Sequence, residues 1–161
     1  MRTLTKEEII SAFPVKERKK VKILDLQTID WEVLDFLGWI HPSGHLGYIV
    51  YEFPLGLRGI VLERNPKPLG QNVGMCALCY TIQNASNIRL FAYKIPNSNI
   101  TIGDYFCADL QCSLYIRKIK DPMVARIEEN LTTSQKIERC KINLEKFFSR
   151  IDEISAFYKN K

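Results

Sequence analysis

The 161-residue chain is 46% hydrophobic and 25% charged, an ordinary globular composition with enough length for a real core. Its net charge of +5, from 23 Lys and Arg against 18 Asp and Glu, is too slight to demand a polyanionic partner. No apolar run approaches the roughly 18 residues of a membrane helix, and the opening MRTLTKEEII lacks the apolar stretch of a secretory leader. The expectation is a cytoplasmic protein of one domain, or a small domain with an appended helical piece, making no membrane contact. Five cysteines in a reducing compartment then favour metal or core roles over disulfides.

Thr5 and Glu8 have the spacing of a capping box, and Leu4 and Ile9 the spacing of a hydrophobic staple. They predict a first helix running to about Phe13 and stopped by Pro14. The basic run VKERKKVKIL reads as a solvated connector. Asp30 is the predicted cap of a short helix in WEVLDFLGW, with Trp31, Leu34 and Leu37 on one face. HPSGHLG is a turn, and Pro42 and Gly44 deny His41 and His45 the helix that would align them on a metal. YIVYEF and RGIVLER read as strands joined through PLGL in a hairpin, and NPKPLGQN as a loop. CYTIQ and IRLFAYK read as a second strand pair around NASN, after which PNSNITIGDYF leads into a helix carrying cysteines. Past Pro122, Thr132 and Gln135 form another capping box. Ile137, Cys140, Leu144, Phe147, Phe148, Ile151, Ile154 and Tyr158 then recur at helical spacing, predicting one amphipathic helix of roughly 25 residues, about 38 Å long.

The chemistry lies in YFCADLQCSLYIR and MCALCYT. Cys76 and Cys79, with two residues between them, suit a tight knuckle; Cys107 and Cys112, with four between them, supply a second pair. Asp109 as N-cap would put Cys112 in the first helical turn, where orphan N–H groups and the helix dipole favour thiolate. The 27 residues between the pairs contain strand-like runs, so the order is knuckle, β-hairpin, helix: a treble-clef zinc finger. Four sulfurs around one Zn2+ make a closed, structural site with no position for substrate. Such a site carries two negative charges and lowers the net charge to about +3. Two other readings stand beside it: core cysteines, and a redox pair, which would need CALC to run into a helix rather than into β-type residues. Cys140 belongs to the apolar stripe of the last helix and reads as core. No nucleophile context, phosphate-binding glycine loop or carboxylate pair is present, so neither an enzyme nor a small-molecule substrate is expected.

WEVLDFLGWIHPSGHLGYIV, MCALCYT and GDYFCADLQCSLYIR together resemble the fibronectin-binding-protein-type treble-clef family. It is the family of elongation-factor-G-binding proteins that includes the FusB-type fusidic acid resistance proteins. The resemblance runs from LTKEEI to the terminal helix and implies one zinc at Cys76, Cys79, Cys107 and Cys112. It also implies a non-enzymatic role, binding elongation factor G and helping release it from the ribosome, with fusidic acid resistance as the associated trait. The chain is shorter than FusB-type proteins and has no room for their full N-terminal helical bundle, which implies a compact member. The expected class is α+β: a treble-clef finger within a small antiparallel sheet, flanked by N-terminal helices and a long C-terminal helix. One FusB-like zinc-binding domain would span 1–161, with an N-terminal helical segment over 1–45, sheet and finger over 46–120, and the C-terminal helix over 121–161.

For the partner surface the candidates lie beside the metal: Lys94, Tyr105, Phe106, Tyr115, Arg117 and Lys118, with Arg117 and Lys118 expected to be exposed. The competing reading of Phe106 and Tyr115 is that they pack the hairpin onto the helix. A different function, RNA binding, would use Lys22, Arg117, Lys118 and Lys120 on phosphates and Tyr105 or Tyr115 to stack on bases.

Overall fold

The computed structural model describes residues 1–70, 72–124 and 129–159. The first helix, α1 (Lys6–Ala12), starts at the expected box: Thr5 Oγ1 accepts from Glu8 N–H, and the Glu8 carboxylate accepts from Thr5 N–H. Leu4 and Ile9 are buried beside it. The segment 1–45, expected to be helical, is otherwise not α-helical. It continues as 3-10 turns at Arg18–Lys20, Leu26–Thr28 and Trp31–Val33. Asp30 does cap the last of these, accepting from Glu32 N–H, but the helix predicted beyond it is absent. Leu37–Ile40 is instead a strand, β1, because β2 (Leu46–Phe53) offers it a complete antiparallel ladder from Leu37↔Val50 to Ile40↔Gly47. At Gly38 the strand passes directly against Leu110: a Cβ there would stand 2.7 Å from Leu110 Cβ.

The predicted hairpin forms between β2 and β3 (Gly56–Arg64), with Phe53 opposite Gly56 and Gly56 at φ +121°. The second strand pair is a correction. CYTIQ and IRLFAYK do not pair. β4 (Val73–Met75) pairs with β5 (Ile82–Asn84), flanking the first cysteine motif. β6 (Ile88–Lys94) pairs with β7 (Thr101–Cys107), a strand where a lead-in to helix was expected. Among the described residues the main sheet runs β1-β2-β3-β6-β7, every neighbour antiparallel. One residue of the predicted loop 65–72, Gln71, lies outside the described residues.

β2 and β3 read as continuous apolar runs because both faces of the sheet are covered. Successive side chains point to opposite faces. Tyr48, Val50 and Val61 join Trp39, Phe13 and Ile9 in one core, while Ile49, Tyr51, Ile60 and Leu62 join the other. The second core is closed by α3 (Thr133–Lys159), a helix of 27 residues whose Thr132 and Gln135 make the predicted capping box. Cys140, Leu144, Phe147, Phe148 and Ile151 are buried on its stripe, with Ile137, Ile154 and Tyr158 packed at the margins. Among the described residues no helix is long and apolar enough to cross a membrane.

Candidate functional site

The first cysteine pair sits in a knuckle between β4 and β5. Tyr80 N–H donates to Cys76 O (2.9 Å), Cys76 N–H to Thr81 O (3.1 Å), and Tyr80 takes a left-handed φ of 59° to turn the chain back. Ala77 N–H donates to Tyr105 O (2.8 Å), tying the knuckle to β7. From the far side α3 holds it by its carbonyls, with Asn143 Nδ2 on Leu78 O (2.9 Å) and an Arg139 guanidinium N–H on Cys79 O (3.2 Å).

The second pair ends β7 at Cys107 and opens α2 (Cys112–Ile116). Asp109 is not the helix cap: Gln111 occupies that place, and Cys112 is the first helical residue instead of the third. Leu110 at φ 59° makes the turn, so the carboxylate reaches Gln111 N–H (3.0 Å), the Tyr115 hydroxyl (3.0 Å) and Lys120 Nζ (2.5 Å). Burial, with the Asp109 charge beside it, pushes the Tyr115 hydroxyl well above its usual range. Lys118 N–H to Tyr115 O and Ile119 N–H to Leu114 O end the helix in a Schellman motif, with Lys118 at φ 58° where glycine is usual.

All four sulfurs are buried and lie within 4.8 Å of one another. Cys76 Sγ is 3.7 Å from Cys112 Sγ, and Cys79 Sγ is 3.6 Å from Cys107 Sγ. Sulfurs at about 2.3 Å from a tetrahedral zinc would be about 3.8 Å apart, so the cluster fits the ion. Burial pushes the Cys107 thiol up; Cys79, equally buried, is pulled down by hydrogen bonds from Cys107, Cys112 and Cys76. Four such groups ionise together only around a cation. The four cysteines form a zinc-binding site, and among the described residues they are the one metal-competent cluster of cysteine, histidine or carboxylate. His41 instead shares a hydrogen bond with Ser43 Oγ (2.8 Å). Cys140 is buried in the core on α3 and lies outside the cluster.

Sequence reasoning missed Gln83. It is fully buried on β5 and its Nε2 donates to Cys107 Sγ (2.9 Å), offsetting thiolate charge from outside the ligand shell. Asp35 was missed as well: its carboxylate grips Arg117 at 2.6 and 2.8 Å, joining the turn before β1 to α2. Neither residue has a local signature, since each is defined by a partner far away in the chain.

The six surface candidates separate. Phe106 is buried, stacked on Phe91 (centroids 5.8 Å apart) and edge-on to Phe147 (5.1 Å), so it packs the core and is no contact residue. Tyr115 is buried on Asp109. Arg117, expected to be exposed, is committed to Asp35, and Lys120 to Asp109. Lys94 is exposed but pairs with Thr101, six residues along the hairpin from the Ile88↔Cys107 end and hence about 20 Å from the metal. Tyr105 and Lys118 remain as exposed residues near the cluster. They are joined by two that the sequence did not single out, Met75 (53% exposed) and Tyr80 (38%). Met75 and Tyr80 border two grooves. One, of about 470 Å³, also has Tyr105, Lys146 and Arg150 in its wall; the other, of about 450 Å³, has Lys118, Lys136 and Arg139. The Arg139 guanidinium lies 4.7 Å from the Tyr80 ring centroid and stiffens that ring.

The model of the family described as FBP C-terminal treble-clef zinc-finger matches residues 7–151. Among solved structures, that of the fusidic acid resistance protein FusC is similar, with a TM-score of 0.62 at 21% identity over 92% of this chain and 59% of that one. This chain thus spans about three-fifths of the length of that protein, and the likeness is one of fold. Comparison with curated proteins yields no match.

Proposed function

The chain belongs to the FBP C-terminal treble-clef zinc-finger family, and from that premise we propose a zinc-stabilised protein-binding module rather than an enzyme. Its proposed partner is elongation factor G, free or on the ribosome, and protection of translation against fusidic acid is the trait proposed to follow. The closed four-thiolate site supports a structural role for the metal, because no coordination position is left for substrate.

The observation that carries this reading is the exposed ridge of Met75 on β4, Tyr80 in the metal-fixed knuckle and Tyr105 on the β7 strand tied to it, flanked by Lys118 and Lys146. Tyrosine and methionine on a rigid support are the residue types of a contact centre, and rigidity reduces the entropy lost on docking. Calorimetry of the zinc-loaded protein against purified elongation factor G tests it. Tyr80→Ala with Tyr105→Ala should weaken binding at least tenfold, since one hot-spot residue is worth about 2 kcal/mol and a decade about 1.4 kcal/mol. Wild-type protein with no measurable affinity at tens of micromolar would sink the partner; unchanged affinity in the double variant would move the interface off the knuckle.

A further inference from the structure

The strap from Lys16 to Lys22 lies in the N-terminal region, which packs against the opposite core from the zinc cluster. Its backbone is held at several points. The Tyr48 hydroxyl donates to Lys20 O (2.6 Å), Trp39 Nε1 to Lys22 O (2.8 Å), and Arg18 places Nε on Phe13 O (3.0 Å) and an N–H on Ser11 O (3.1 Å). Val21, Ile23 and Leu24 turn inward against the core that contains Trp39 and Tyr48. Glu17, the strap's carboxylate, is half-buried, and its Oε2 is buried without a hydrogen-bond partner among the described residues. Everything apolar or acidic in 16–22 is therefore drawn inward. Lys16, Lys19, Lys20 and Lys22 are left exposed; Lys20 is close enough to Glu17 to favour its carboxylate electrostatically, and no lysine of the strap makes a direct salt bridge with a described residue.

We infer that this pinned basic strap is a second interaction surface, which lays its four lysines along the phosphate backbone of an RNA. Ammonium groups are compact point charges without the planar fork that selects individual carboxylates, and strung along one segment they match a line of repeated unit charges. Pinning matters because aromatic hydrogen bonds, made for the core's own reasons, have already ordered the backbone that a flexible basic tail would order on binding. A lipid surface fits less well. Val15 is the exposed apolar residue next to the strap, and a single valine is little for anchoring. The inference does not depend on the knuckle or on elongation factor G.

The probe is a short, structured RNA titrated by fluorescence polarisation at several salt concentrations. Four phosphate contacts should make the affinity fall with a log–log slope of roughly −3 to −4. Combining Lys16→Gln, Lys19→Gln, Lys20→Gln and Lys22→Gln should flatten that slope toward zero and weaken low-salt binding at least tenfold. Zinc content and urea midpoint should stay at wild-type values, because all four side chains are exposed. The matching Lys→Arg variant should bind with the wild-type slope. Absence of wild-type binding at low salt, or a Gln variant with the full slope, would overturn the assignment. So would tighter binding to phosphatidylserine vesicles than to RNA. The same Gln variant, titrated calorimetrically with elongation factor G, should retain whatever affinity the wild type has, which keeps failure here separate from failure of the knuckle reading.

Discussion

The Arg117–Asp35 pair ties the zinc finger to the N-terminal region, and its removal should be costly. The Asp35 side chain is 5% exposed and that of Arg117 20%. Two charge-assisted hydrogen bonds, 2.6 and 2.8 Å long, are all that the Asp35 carboxylate has among the described residues. Truncating one partner of a buried pair typically costs 3–5 kcal/mol, mostly for the charge left behind. With a fifth of Arg117 in water, the lower end applies, so Arg117→Ala should destabilise by about 3 kcal/mol. Arg117→Glu should do worse by adding a second carboxylate beside Asp35. With a urea m-value of about 2 kcal/mol/M, the midpoint should fall by about 1.5 M at saturating zinc. A cycle with Asp35→Asn should return a coupling energy above about 1 kcal/mol, as the two residues act through each other. A midpoint shift below about 0.25 M would put the pair in the range of ordinary surface ion pairs and refute the reasoning.

X-ray absorption at the zinc edge should show one zinc per chain with sulfur at about 2.3 Å and no nitrogen, and acidification should release the metal as protons compete for the thiolates. Cys112→Ser should lose most of the zinc and unfold at least the finger, whereas Cys140→Ala should keep the zinc at a modest packing cost; metal loss in the latter would make Cys140 a member of the site. Phe106→Ala removes a ring packed between Phe91 and Phe147 and should cost about 3–5 kcal/mol in urea unfolding; a loss below about 1 kcal/mol would mean that the hairpin is not held on α3 by that ring.

What the sequence determined alone is what short range decides. Both capping boxes form because donor and acceptor are three residues apart. The stripe from Ile137 to Tyr158 needs only the helical period to show its buried side, and cysteine spacing sufficed to nominate the four ligands. The misreadings share one cause. Leu37–Ile40 is a strand because β2 lies alongside it, and CYTIQ pairs backward with β4 rather than forward with IRLFAYK because β7 has taken that ladder. Local propensity contains no term for which edge is still free. Likewise, nothing in YFCADLQCSLYIR says that Phe106 meets a ring 41 positions on, or that Arg117 closes on a carboxylate 82 positions back. Residue type could nominate these side chains for an interface. Only the packed sheet and α3 could bury some and leave Met75, Tyr80 and Tyr105 in water, because burial is a property of what arrives from the rest of the chain.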